Sequence, residues 1–277
     1  MIEENAIKNE ISLRIKEFLI KENVIYDSSA NYTDFVISYF DYFSKRIPIK
    51  KYVVHFSQEL KDKKANLDNG EQLIIDEFCR KFNNGEDMNN HLSKNILYSQ
   101  RYDMLLNQWN IKHLHLSLSE DMNSNRSSRY LLILVHKNDV YFLDVMNHLQ
   151  GDEFANLDFL WILYKNDWLE KAGAIYSPEI KSIGLEIRNK EDLNRLWKSG
   201  VNQIIYNFEG KYYTFVNGIT LSKNSISSSF YLTELNKVVY KIASIKGAFL
   251  HSVILSEDKP LIEIKVINGN KLMVFKV

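Results

Sequence analysis

The residues best suited to chemistry lie together between Ile111 and His148. Four of the seven histidines fall in this stretch, and we take three of them, His113, His115 and His148, as candidate catalytic residues. An imidazole has an unperturbed pKa of about 6.5, so it can both remove and donate a proton near neutral pH. Histidines in this number are therefore the residue type that general acid–base catalysis needs.

Two arginines and a tyrosine of the same stretch, Arg126, Arg129 and Tyr141, are the candidate substrate-binding residues. A guanidinium can hold a phosphate through two parallel hydrogen bonds and stabilise the charge that builds on it. In RNA cleavage, one imidazole takes the 2′-hydroxyl proton while another protonates the leaving oxygen. This chemistry needs no carboxylate cluster and no metal, so the residues predict metal-independent ribonuclease activity without a cofactor.

Three predicted strands position these residues. Ile111–Leu118 alternates in polarity, which places the histidines at positions 113 and 115 on one face. Two runs rich in β-branched and aromatic residues, Arg129–His136 and Val140–His148, are joined across Asn138 and Asp139, which predicts a hairpin. The three strands together predict an antiparallel meander.

The turn also predicts a register. If Asn138 and Asp139 are the two turn residues, Arg129 lies opposite His148, Tyr130 opposite Asn147, and His136 opposite Tyr141. Arg129 and His148 would then share the end of the sheet farthest from the turn, where the loop that carries Arg126 also arrives. The predicted site is therefore this open end.

The helix that feeds the meander, together with Val140-Tyr-Phe-Leu-Asp-Val-Met-Asn-His148, resembles the RelE, barnase and EndoU-like group of ribonucleases and toxins. The resemblance covers roughly residues 99–171 and implies catalytic His, Arg, Lys or Tyr side chains on the sheet face. The group has no invariant signature to carry over residue by residue. The pattern Leu-Leu-Asn-x-Trp-x-Ile-x-His-Leu-His-Leu at Leu105–Leu116 is also similar to one in uncharacterised bacterial proteins, which implies no activity.

Residues and resemblance together predict a bacterial ribonuclease-like toxin or anti-phage defence effector. RNA is its expected substrate, and an antitoxin or another defence component its expected protein partner. The alternative is a non-catalytic interaction protein of such a system, in which the C-terminal unit binds the partner. The histidines would then be polar groups of a sheet edge, and Arg129 would pair with an acid such as Asp144 or Glu153.

Two further alternatives use the same residue types. The patterns His115-Leu-Ser117 and His55-Phe-Ser57 each fit the His-x-Ser element of two-histidine phosphoesterases. Alternatively, His113, His115 and His148 could bind a divalent ion such as Zn²⁺ and leave one position open for water, although no flanking carboxylate pattern supports a metal-dependent hydrolase.

Composition narrows the class of protein. The 277 residues include 35 basic and 35 acidic side chains, so the formal net charge is zero and any anion-binding surface must be local. The one cysteine, Cys79, excludes an internal disulfide and is predicted to be a buried thiol. No signal-peptide pattern is present, and no apolar run approaches the roughly 20 residues that span a bilayer. We expect a cytoplasmic protein without a membrane partner.

The rest of the chain predicts an α+β fold. A helical N-terminal region leads into the central antiparallel meander, which is flanked by helices, and a second, C-terminal α+β unit follows. We place the boundary between residues 1–174 and 175–277. Helical periodicity is found in these ranges: Glu4–Lys21, Tyr32 to before Pro48, Gln72–Phe82, Met88–Leu97, Ser99–Trp109, Phe154–Trp168, Lys190–Lys198 and Tyr231–Ala243. Further strands are predicted at Ile183–Ile187, Gln203–Phe208, Lys211–Val216, Ala248–Leu255, Leu261–Ile267 and Lys271–Val277, and a strand or a helical turn at Tyr52–Phe56.

Overall fold

The computed structural model describes residues 2–99, 101, 103–118, 129–147, 154–180, 187, 189–199, 201, 204–218 and 225–277. Over these residues the fold is α+β, as the sequence predicts. The helices are α1 (Glu4–Lys21), α2 (Tyr32–Lys45), α3 (Gln58–Lys64), α4 (Asn69–Asn84), α5 (Met104–Trp109), α6 (Asp158–Lys165), α7 (Lys190–Lys198) and α8 (Ile226–Ala243). The strands are β1 (Val53–Phe56), β2 (Ile111–His115), β3 (Arg129–His136), β4 (Asp139–Asn147), β5 (Ala174–Tyr176), β6 (Ile205–Phe208), β7 (Lys211–Phe215), β8 (Ala248–Leu255), β9 (Ile262–Asn268) and β10 (Lys271–Lys276).

The chain forms two compact units, each assembled from separate segments. The first contains Met1–Arg46, Asn95–Arg101 and Asn224–Val277, and the second contains Ile47–Lys94 and Tyr102–Lys223. The division that we predict at residue 174 follows chain position, whereas these units follow contacts between distant segments. Local sequence patterns do not show that α1 and α2 associate with the C-terminal strands.

In the first unit, α1, α2 and α8 pack with an antiparallel sheet in the order β10-β9-β8. The apolar residues Ile7, Ile11 and Ile15 recur at a spacing of four on α1 and are fully buried, as their periodicity predicts. Helix α8 begins five residues earlier than the predicted Tyr231, because the side chain of Ser225 caps it by accepting the amide hydrogen of Ser228.

In the second unit, a four-stranded sheet has the order β1-β4-β3-β2. The predicted antiparallel meander β2-β3-β4 is confirmed, and β1 adds to it in parallel, pairing with the first part of β4. Helix α6 packs on one face of this sheet through Phe159, and α4 covers the other face, where Phe82 lies against Phe142. A separate small sheet has the order β5-β7-β6.

Several other predicted helices and strands differ from those in the structure. Instead of the helix predicted at Met88–Leu97, the chain forms two short 3₁₀ helices, Asn89–His91 and Lys94–Leu97. The helix predicted from Phe154 begins at Asp158, and most of the strand predicted at Ile183–Ile187 lies outside the described residues. No helix among the described residues has the length and apolar character needed to cross a bilayer.

The predicted register of the β3–β4 hairpin is wrong. The turn consists of Lys137 and Asn138, with Lys137 at φ +54°. Asp139 already belongs to β4, because its backbone pairs with Val53 of β1 as well as with His136 of β3. Turn propensity depends only on neighbouring residues, so it cannot predict this pairing with a distant strand.

A β-bulge then changes the register again between Leu132 and Ile133. As a result Arg129 lies opposite Asn147 and not His148, and Tyr130 lies opposite Met146. Tyr141 lies opposite Leu134 and not opposite His136. At the open end of the hairpin, the β4 residue opposite each β3 residue is therefore one position earlier than predicted.

Helix α4 ends at Asn84, two residues beyond the predicted Phe82, and Gly85 is its C-cap. Gly85 has φ +77°, and a Cβ atom there would lie 2.9 Å from the backbone of Lys50 and Lys51. We therefore expect Gly85→Ala to lower the free energy of unfolding by about 2 kcal/mol, since it adds a backbone clash to a left-handed conformation. Urea denaturation measures the loss.

Gly210→Ala is the matched control, because Gly210 has φ +82° but no atom lies within 4 Å of the position that a Cβ would take there. It should cost only the conformational part, about 1 kcal/mol. Equal losses in the two variants would mean that the approach of Gly85 to Lys50 and Lys51 carries no energetic penalty.

Candidate functional site

The two histidines of β2 share one face of the sheet, as predicted. Their ring centroids lie 6.2 Å apart. Tyr130 of β3 lies opposite His115 in the register, and its ring centroid is 5.1 Å from that of His113 and 5.8 Å from that of His115. Since cross-strand partners point to the same side, the three rings form one cluster on the face that packs against α6.

A carboxylate that is not among the predicted site residues joins this cluster. Oδ2 of Asp103 lies 3.6 Å from Nδ1 of His113. Helix α5 begins at Met104 and not at the predicted Ser99. Asp103 is its N-cap, and the other oxygen of Asp103 accepts the amide hydrogen of Leu106 at 3.1 Å. A carboxylate beside an imidazole stabilises its protonated form. The signal in the sequence is an Asp directly before an apolar helical run, which is also an N-cap pattern.

The cluster is largely buried. His115 is 6% exposed, Tyr130 is 1% exposed, and the side chain of His113 retains 11% of its surface. The ring of Phe154 lies 6.4 Å from that of His113 on the same side. His113 is therefore the more accessible of the two imidazoles.

Arg129 does not belong to this cluster. Neighbouring residues on a strand point to opposite faces, so Arg129 points away from the face of Tyr130 and the histidines. Its Nη1 donates to both carboxylate oxygens of Glu71 in the first turn of α4, each at 2.7 Å. The side chains of Arg129 and Glu71 are 26% and 12% exposed.

One alternative from the sequence was that Arg129 pairs with an acid. Arg129 does form such a pair, but its partner is Glu71. Of the two acids named for it, Asp144 instead accepts from Lys63 at 3.0 Å, and Glu153 lies outside the described residues. The role of Arg129 as a phosphate-binding residue stays a prediction.

Two other predicted site residues, Arg126 and His148, lie outside the described residues. Tyr141 lies elsewhere on the sheet. It is opposite Leu134, which is opposite Ile111, two residues before His113. At about 3.3 Å per residue and about 4.8 Å per strand, Tyr141 is roughly 12 Å from His113. The meander therefore does not bring Tyr141 to the predicted open end.

Tyr141 belongs to a second cluster near the hairpin turn. Nε2 of His55 lies 2.7 Å from Oδ1 of Asp139, and the His55 ring stacks on the Tyr141 ring with 4.8 Å between centroids. Trp168 lies 4.8 Å from the same ring, and Nζ of Lys171 lies 5.4 Å from its centroid. Burial, followed by the charge of Asp139, raises the pKa of Tyr141.

This second cluster is the more accessible one, since the side chains of His55 and Asp139 are 39% and 34% exposed. The sequence signal was the His55-Phe-Ser57 pattern. Ser57, however, is fully buried, donates to the carbonyl of Leu143 and accepts the amide hydrogen of Leu60 as the N-cap of α3. Its hydroxyl is thus committed to local structure, unlike the phosphate-binding hydroxyl of a two-histidine phosphoesterase.

A buried lysine lies next to the first cluster along β2. Lys112 is 6% exposed and points to the face opposite the histidines. Desolvation lowers its pKa from 10.5 to about 8, against the opposing attraction of Asp103. Asp103 is therefore close enough to act electrostatically on both Lys112 and His113.

Among the described residues, no group of three or more His, Cys, Asp or Glu side chains could hold a metal ion. The predicted zinc alternative requires His148, which is not among them. A pocket of about 300 Å³ lies between α6 and β6, with Trp161 and Phe208 in its wall. The described residues that line it include no acidic or basic side chain.

The described residues thus define an α+β protein with a buried histidine cluster at one end of its central sheet and a half-exposed His–Asp pair at the other. Neither a protein-family model, nor a curated protein, nor a solved structure matches the chain. The paired imidazoles with a neighbouring carboxylate are groups that can carry protons during a reaction.

Proposed function

We propose that the protein is a bacterial ribonuclease-like toxin or anti-phage defence effector that cleaves RNA without a metal. His113 and His115 are its acid–base pair. The observation that supports this is the placement of two imidazoles on one sheet face, 6.2 Å apart, with the Asp103 carboxylate 3.6 Å from one of them. RNA is the substrate, and an antitoxin or another defence component is the protein partner.

The proposed reaction is a transfer of the phosphoryl group within the RNA. His113 removes the proton from the 2′-hydroxyl, whose oxygen attacks the adjacent phosphorus. His115 donates a proton to the departing 5′-oxygen, so the products are a 2′,3′-cyclic phosphate and a 5′-hydroxyl end. Asp103 stabilises the positive charge that His113 gains. His148 remains a candidate catalytic residue, and Arg126 and Arg129 remain candidates for binding the phosphate.

We expect His113→Ala and His115→Ala each to reduce RNA cleavage by about 10²- to 10⁴-fold, because each removes one proton-transfer step. The measurement is single-turnover cleavage of a fluorescent RNA in the presence of EDTA. His136→Ala is the matched control, since His136 is a partly exposed histidine at the turn end of β3 and should leave the rate unchanged. The thermal unfolding of each variant checks that the fold is kept.

Three results would contradict this proposal: wild-type protein that leaves RNA intact in EDTA, equal cleavage by wild type and His113→Ala, or an equal loss in His136→Ala. Toxicity offers a second readout. Expression of the wild type should arrest bacterial growth, and the His113 and His115 variants should relieve the arrest while still accumulating as folded protein.

A non-catalytic interaction protein is the second candidate function. The observation that favours it is the structural setting of two predicted site residues: Arg129 is bound to Glu71, and His115 is 6% exposed. In that case His115→Ala would lower the free energy of unfolding, and the wild type would neither cleave RNA nor arrest growth.

A further inference from the structure

The sheet of the first unit has one face in the core and one face in solvent. Its strands alternate, so residues such as Val253, Ile264 and Val266 are buried against the helices. The intervening side chains form the outer face, which lies outside the proposed catalytic unit. This outer face consists of Phe249, Ser252, Ile254, Glu263, Lys265, Ile267, Leu272, Val274 and Lys276.

The register arranges these side chains in rows across the three strands. Phe249, Ile267 and Leu272 form an apolar row. These side chains are 70%, 36% and 55% exposed, whereas a strand residue that packs in a core is buried. An apolar row this exposed on a sheet face indicates a surface that contacts a partner.

The rows beside it carry positive charge. Lys265 lies in the next row, and Lys276 lies opposite Glu263 in the row beyond. Glu263 pairs with both lysines, at 3.2 and 3.1 Å, and is the one acidic residue of β8, β9 and β10. The two lysines of the outer face therefore lie on one side of the apolar row, and with Glu263 they give that side a net charge of +1.

Three strands spaced about 4.8 Å apart and about seven residues long, at about 3.3 Å each, give a flat face of roughly 350 Å². A short segment with flat apolar groups and negative charge fits this area and this charge pattern.

We propose that the outer face of the β8–β10 sheet binds single-stranded RNA. The ring of Phe249 stacks on a base, Ile267 and Leu272 extend the apolar contact, and Lys265 and Lys276 neutralise phosphates. The inference rests on the proposed function only for the identity of the nucleic acid, and it assigns the RNA-binding surface to residues that are not part of the acid–base pair.

The test is fluorescence anisotropy with a labelled oligodeoxythymidylate of about ten nucleotides, which has no 2′-hydroxyl and cannot be cleaved by the proposed reaction. Phe249→Ala should weaken binding by about 5- to 150-fold, the value of one base–aromatic stack. Lys276→Met should reduce the slope of log affinity against log salt by about 0.7. Phe230→Ala, which removes an aromatic ring 61% exposed on α8, is the matched control.

The proposal is overturned if the wild type does not bind the oligonucleotide or if Phe249→Ala binds as well as Phe230→Ala. It is also overturned if Phe249→Ala converts a wild-type dimer to a monomer in size-exclusion chromatography, because the face would then join two copies. Binding that depends on Phe249 without RNA cleavage would leave this surface standing and contradict only the ribonuclease proposal.

Discussion

Lys112→Met is expected to raise the free energy of unfolding at pH 7 by as much as about 3 kcal/mol. The buried amine is charged at this pH at a cost, because desolvation lowers its pKa from 10.5 to about 8. Each unit of pKa corresponds to about 1.4 kcal/mol of unequal interaction with the two protonation states. Methionine has a similar length and no charge, so it removes this cost.

The same cost makes stability depend on pH. Between pH 8 and about 10.5 the unfolded chain holds the lysine proton more tightly than the folded chain does, so wild-type stability rises with pH in this window. Below about pH 8 both forms are protonated and the penalty is constant. Burial raises the pKa of Tyr39 to about 12, which opposes this trend only above about pH 10.

Urea denaturation at pH 7 and at about pH 9.5 measures both effects. The wild type should gain stability between the two values, while Lys112→Met should not show this gain. Lys61→Met is the matched control, because Lys61 is exposed and its removal should change neither value by more than about 0.5 kcal/mol. A Lys112 variant less stable than wild type at pH 7 would show that the charged amine is stabilising.

The second large effect concerns the ion pair between Arg129 and Glu71. Arg129→Met is expected to lower the free energy of unfolding by about 3 kcal/mol, because it leaves a carboxylate that is only 12% exposed without its guanidinium. The double variant Arg129→Met with Glu71→Leu should recover part of this loss, since both charges are then gone. Urea denaturation of both single variants and the double variant gives the coupling energy.

The exposed pair Arg80–Glu77 is the matched control. Its side chains are 48% and 32% exposed, and Arg80 also pairs with Glu86, so Arg80→Met should cost much less than Arg129→Met because water screens these charges. Comparing the two pairs also distinguishes a structural role of Arg129 from a catalytic one. If Arg129→Met is as stable as Arg80→Met but has lost RNA cleavage, Arg129 acts on the phosphate, and the ion pair is not its main role.

Local patterns were sufficient where neighbouring residues decide the structure. The spacing of Ile7, Ile11 and Ile15 determines both the existence of α1 and its buried face, because a period near 3.6 places apolar residues on one side of a helix. Likewise, His113 and His115 share a face because a strand alternates with period two. Gly85 ends α4 because a left-handed residue there strains any other side chain.

Local patterns were insufficient where a distant segment decides. The hairpin turn lies one residue earlier than predicted, and Asp139 pairs with β1, more than 80 positions earlier in the chain. Helix α5 begins at Met104 with Asp103 as its N-cap, and only the folded chain brings the Asp103 carboxylate to His113. Turn and cap preferences amount to about 1 kcal/mol each, so tertiary pairing readily overrides them.

The sequence by itself therefore determined the α+β class, the three-stranded meander and the common face of the two histidines. Only the tertiary structure decided that Arg129 turns away from them toward Glu71 and that Tyr141 joins His55 at the other end of the sheet. The physical reason is that a strand's period sets which residues share its own face, whereas register, bulges and the partners across each face depend on segments far apart in the chain.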